Sequence, residues 1–100
     1  LASVGIEGRE EARVDEDARW VVDRLREAVG ALAADAVDVL GPAAAAVERV
    51  QNRHRRRVVL RSAAVRANQR VLAAALGSPP RAKAPRGSQV VVDIDPGTLL

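Results

Sequence analysis

Apolar spacing along this chain switches between the strand period of about 2 and the helix period of about 3.6, in an order few folds can accommodate. Residues 1–7, Leu-Ala-Ser-Val-Gly-Ile-Glu, alternate: Leu1, Ser3 and Gly5 share one face, Ala2, Val4 and Ile6 the other. That pattern predicts a short strand with one apolar side. A polar connection over 8–17 follows. Val14, Ala18, Val21, Val22, Leu25, Val29 and Leu32 then step by three or four, the stripe of one helical face. Asp15, Glu16 and Asp17 fall near its start, where the positive end of the helix dipole favours them. Trp20 lies beside the stripe and is expected to pack at the edge of the core.

Residues 36–40 form a short apolar strand candidate, closed by the breaker Gly41-Pro42. Residues 43–47 suit either a bulged extension of that strand or a helical turn. Gln51-Asn52 signals a turn. The β-branched content of Val58-Val59-Leu60 within 53–61 predicts another strand. Ser62 is a good helix cap, and the helix after it points Ala64, Val71, Leu72, Ala75 and Leu76 inward and Arg66, Gln69 and Arg70 outward, until Gly77 ends it. Residues 78–88 hold three prolines and several cations and are expected to be a flexible, extended basic loop. Residues 89–94 are the clearest strand, bounded by Asp95-Pro96. The order is β-α-β-β-α-β, the ferredoxin-like split pattern: an α+β fold with two helices on one face of a four-stranded sheet and the other face open.

One hundred residues make one domain. Alanine, valine and leucine dominate the apolar set, with one Trp and no Phe, Tyr, Met or Cys. Small side chains favour tight two-layer packing over the aromatic-lined pocket of a small-molecule site. Without cysteine there is no disulfide, thiolate chemistry or cysteine-ligated metal; with His54 as the one histidine, a His-based metal site is not expected either. No nucleophile–base pair is present, so the chain is not expected to be an enzyme on its own. No apolar run reaches the roughly 20 residues of a membrane span, and a cytoplasmic location is the expectation. The chain reads as a piece cut from a longer protein, an accessory domain.

The net charge of +3 hides a division. Residues 1–50 carry six Arg against eleven Asp and Glu, whereas residues 51–100 carry nine Arg and one Lys against two Asp. Such asymmetry points to an anionic partner. The centre of the basic half is Arg53-His54-Arg55-Arg56-Arg57-Val58-Val59-Leu60-Arg61. In a strand, Arg53, Arg55 and Arg57 share one face about 7 Å apart, and His54 and Arg56 share the other. Each guanidinium can grip a phosphate through two hydrogen bonds. The following loop adds Arg81, Lys83 and Arg86. Contact with five or six phosphates would give a log–log salt slope of about −4 to −5. No aromatic residues interleave with the cations, so phosphate contact is favoured over base stacking. A solvated basic edge strand is the bland reading of the same residues, and Asp93 and Asp95, flanking Ile94, are expected to end the last strand and not to bind a cation.

Gly41-Pro42 after a short strand, the Arg-rich strand ending in Val58-Val59-Leu60, a short Arg- and Gln-bearing helix, and Val90-Val91-Val92-Asp93-Ile94-Asp95-Pro96 together resemble the C-terminal domain of the bacterial primosomal replication-restart helicases, the primosomal protein N′ family. The similarity spans about 36–97, and 1–35 suit the strand and helix that precede it. The resemblance implies a parent that is an ATP-dependent DNA helicase, with ATP and zinc held in upstream domains and no cofactor in this fragment. It implies a domain, like a small ribosomal-subunit protein in fold, that helps to bind branched or single-stranded DNA and to dock the acidic tail of single-stranded DNA-binding protein, beside the upstream domains of its own chain and in the bacterial nucleoid. On that reading Arg53, Arg55, Arg56, Arg57, Arg61, Arg81, Lys83 and Arg86 would meet nucleic acid, and Arg66, Gln69 and Arg70 a partner. Gln69 matches a glutamine of the family pattern. The family's aromatic residues in the strand are replaced by His54 and Arg56. A ribosomal-protein-like domain that binds RNA is the other reading.

Overall fold

The computed structural model describes residues 1–34, 36–50 and 52–94. Its elements are β1 (Ala2–Gly8), α1 (Glu11–Ala31), β2 (Asp38–Val50), β3 (Arg53–Arg61), α2 (Val65–Leu76) and β4 (Gln89–Ile94). The four strands make one antiparallel sheet in the order β2-β3-β1-β4. This is the expected α+β split arrangement, with both helices on one face.

The alternation in 1–7 becomes two-sidedness. Ala2, Val4 and Ile6 are buried, while Ser3, Gly5 and Glu7 between them face the open side. Val4 stands opposite Val58 on β3 and Val92 on β4, so β-branched side chains run as a row across three strands. Above them lie Val14, Ala18, Val21, Val22, Leu25 and Ala28 of α1 and Val71, Leu72, Ala75 and Leu76 of α2. Ile6, Leu25 and Leu60 are the largest side chains wholly withdrawn from water. Each contributes about 2–3 kcal/mol of burial free energy. Trp20 packs half-buried against this core, as expected.

Several boundaries differ from the sequence expectation, each for a physical reason. Helix α1 begins at Glu11, inside the supposed polar connection, because Glu11, Ala12 and Arg13 face solvent and the buried stripe starts only at Val14. It ends without a glycine: Ala33 takes the left-handed conformation (φ 51°), and the amide of Ala34 donates to the carbonyl of Val29. Strand β2 is one strand of 13 residues that passes straight through Gly41-Pro42. Shifts in pairing between Leu40 and Ala43 and between Ala44 and Arg49 absorb the irregularity, which decides 43–47 in favour of a bulged strand. Gly41 sits at φ 109°, and a Cβ there would lie 2.8 Å from the carbonyl oxygen of Arg57, so only glycine lets β2 stay paired. Ser62 caps a turn just ahead of α2, its Oγ accepting from the amide of Ala64 at 3.1 Å.

Residues 78–88 are not extended. The amide of Arg81 donates to Leu76, that of Ala84 to Ser88 and that of Gly87 to Ala84, each at 2.9 Å. Ala84 is buried, and Lys83 bridges to Gln89 along the outer edge of β4. Asp17, only 1% exposed, holds the turn from α1: its Oδ1 accepts from the amide of Arg86 at 2.8 Å and its Oδ2 from that of Ser88 at 3.0 Å. Local composition could not show this clamp, because the acceptor stands about 70 residues earlier in the chain. Gln51 of the turn signal and Asp95-Pro96 at the expected end of β4 lie outside the described residues. No helix among those described is long and apolar enough to cross a membrane.

Candidate nucleic-acid interface

The pleat of β3 divides its arginines. Val58 and Leu60 are buried under the helices, so Arg53, Arg55, Arg57, Val59 and Arg61 take the open face. Arg55 stands opposite Glu7 of β1, Arg57 opposite Gly5 and Val59 opposite Ser3. On the far side of β1, Gln89, Val91 and Asp93 of β4 complete the same rows. The result is a shallow trough. Its floor is the nearly bare strand at Ser3 and Gly5; Arg55 and Arg57 form one wall, Val91 and Asp93 the other. Two adjoining depressions of about 140 and 190 Å³ mark it, both lined by Ser3, Arg57 and Asp93. Leu1, Leu40 and Val91 add exposed apolar surface to this face.

Three of the four open-face arginines are held at their heads. Arg55 Nε meets Glu7 Oε2 at 3.2 Å, and Arg53 Nη2 lies 3.8 Å from Glu7 Oε1 while donating to Gln89 Oε1 at 2.9 Å. Arg61 pairs with Asp38 of β2 at 3.2 Å. The two oxygens of Glu7 thus each meet one guanidinium, an arrangement that holds Arg53 and Arg55 side by side on the open face.

His54 and Arg56 point to the other side. Arg56 Nε donates to Asp15 Oδ1 at 2.9 Å and its Nη2 to Glu11 Oε2 at 3.1 Å, with the arginine side chain only 11% exposed; His54 Nδ1 lies 3.7 Å from Glu11. The two positions where the family pattern has aromatics therefore sit beneath α1. Their replacement changes how β3 packs on the helix, not what the open face offers a base. Arg56→Ala should lower unfolding free energy by about 1 kcal/mol in a denaturant titration, through the loss of its largely buried side chain and of its pairs with the half-exposed Asp15 and Glu11, and leave DNA affinity within about twofold.

The structure does not bring the loop cations onto the arginine row. The guanidinium of Arg81 lies 4.7 Å from the ring centre of Trp20, with that of Arg24 at 5.7 Å, and its Nε donates to the carbonyl of Lys83. Arg86 pairs with Glu16 of α1 at 2.9 Å. Both are drawn to the acidic, aromatic flank of α1. Lys83 follows the outer edge of β4. Arg66, Gln69 and Arg70, by contrast, converge on one feature, a groove of about 550 Å³ between α2 and β4 whose apolar lining includes Leu72, Val92 and Ile94. Sequence reasoning missed Glu7 and Gln89 as members of the open face; the parity of 1–7 placed Glu7 there, but only the pairing register put it against Arg55. It also missed Asn68, buried in α2 with an Oδ1 that has no hydrogen-bond partner among the described residues.

Residues 1–97 match the family model described as the primosomal protein N C-terminal domain. The chain belongs to that family. A search of curated proteins gave no match. The primosomal family assignment covers all six elements, so the trough and the groove both lie within the matched region. Membership connects the chain to primosome function and replication restart.

Proposed function

We propose that this domain contacts DNA through the open face of its sheet and docks a partner through the α2–β4 groove, as the accessory domain of a restart helicase acting in the bacterial nucleoid. The observation that carries the reading is the arginine row: Arg53, Arg55 and Arg57 stand on one uncovered face at the pitch of alternate strand residues, about 7 Å, with Arg61 continuing it. An extended sugar–phosphate backbone laid along β3 meets these guanidiniums in turn. Every contact is to phosphate, so the domain holds DNA without reading its sequence. The trough floor has no aromatic platform, which favours backbone contact over stacking.

Fluorescence anisotropy on a forked duplex with one single-stranded arm tests this. Four phosphate contacts predict a log–log salt slope of about −3 to −4, shallower than the count of every basic residue in the second half suggests, because Arg56, Arg81 and Arg86 are engaged elsewhere. Absence of binding at low salt, or a slope near zero, sinks the reading. A matched RNA fork should bind no more tightly; a strong RNA preference would favour the ribosomal-protein-like reading, since RNA-binding folds use the 2′-hydroxyl.

The groove supports the docking half of the proposal. Two cations and an amide rim an apolar floor, which suits a short acidic segment with an apolar end, such as the tail of single-stranded DNA-binding protein. The upstream domains of the parent chain are its other proposed neighbours.

A further inference from the structure

The open face carries its own competitor. Four arginines stand on it, and in the free protein three are met by carboxylates: Arg53 and Arg55 by Glu7, and Arg61 by Asp38. Glu7 is the key group. It is central, on β1, directly opposite Arg55, and its carboxylate spans two adjacent members of the row. Two oxygens between two guanidiniums is the arrangement a phosphodiester would make at the same place. The side chain is only 25% exposed, held between Arg55 on one flank and Gln89 on the other, so it is not swept aside by solvent.

We propose that Glu7 is an internal stand-in for phosphate, and that it makes the face selective for a continuous polyanion over isolated phosphate groups. The inference rests on the nucleic-acid reading of this face. A lone phosphate must break the contacts of Glu7 and gains only what the carboxylate already supplied. A chain of phosphates spaced along β3 reaches Arg57, which faces Gly5 and not an acid, and from there displaces Glu7 with several contacts acting together. The carboxylate also gathers Arg53 and Arg55 at one point in advance, so the row is pre-arranged for the ligand that replaces it.

Glu7→Gln tests this. The amide keeps the size of the side chain and one acceptor oxygen, but it removes the charge and turns the other oxygen into an NH2 donor that cannot accept from a guanidinium. Glu10→Gln is the control: it makes the same change in net charge at a residue that pairs with Arg13 on α1, away from the trough. The readout is affinity for the same fork at low salt, with inorganic phosphate and a dinucleotide as competitors. Release of two surface ion pairs corresponds to tightening of about fivefold for Glu7→Gln, with Glu10→Gln within about 1.5-fold of the parent. The dinucleotide should displace the fork from Glu7→Gln at lower concentration than from the parent. Equal affinity of Glu7→Gln and the parent overturns the role of Glu7 and leaves the DNA reading standing. Equal tightening by both variants overturns it as well, since the effect would then be net charge alone. If neither the parent nor Glu7→Gln binds the fork, the DNA reading fails, and the inference with it.

Discussion

Asp17→Ala should lower the unfolding free energy by about 3 kcal/mol and the melting temperature by about 15 °C. The carboxylate is 1% exposed and accepts two backbone amides, of Arg86 and Ser88, at 2.8 and 3.0 Å. Alanine leaves both donors without a partner, Ser88 in a buried position, and leaves a cavity where the carboxylate stood. Hydrogen bonds to a charged acceptor are worth about 1.5–3 kcal/mol each against their loss, which sets the estimate. Asp17→Asn keeps one acceptor oxygen and should lose about half as much. Circular dichroism melts give the stability. Trp20, the one tryptophan, gives the local consequence, because Arg81 lies over its ring at 4.7 Å and leaves when the turn comes free. A melting temperature within about 3 °C of the parent would show that the clamp is not structural.

The second large effect concerns function. Replacing Arg53, Arg55 and Arg57 together with alanine should weaken binding to a forked duplex about 100-fold at low salt and flatten the salt slope to about −1. Stability should change by under about 1 kcal/mol, since the lost pairs with Glu7 are partly exposed. A matching triple change on the flank of α1, at Arg13, Arg19 and Arg26, alters net charge equally and should cost less than about fivefold. If the two triples weaken binding alike, the domain senses DNA through its overall field and not through β3.

The sequence disclosed much of this, and where it failed the cause is identifiable. Element order and the parity of Arg53, Arg55 and Arg57 were legible because both follow from local period alone, and β3 has the same pleat wherever it lies in the sheet. The destination of Arg56 was not. Which side of β3 faces the helices depends on Val58 and Leu60 being the buried pair, and the partners Glu11 and Asp15 come from over 40 residues away. The prolines of 78–88 suggested an open chain for the same reason: the group that folds the segment back is on α1. Gly41-Pro42 read as a stop because breakers usually are; a strand that bulges around one leaves no local sign. Gln69 and its neighbours came from resemblance, and their shared groove from the placement of α2 against β4.

The sheet order has a consequence for how the domain is made. β1 lies between β3 and β4, so the first described strand of this domain is an interior strand whose second neighbour is the last of its described elements. Until Gln89–Ile94 emerges, one edge of β1 stays unpaired and the clamp on Asp17 has nothing to hold. Folding of this unit is therefore tied to its completion, and a nascent chain stalled before β4 presents an open strand edge of the kind that invites mispairing or chaperone capture.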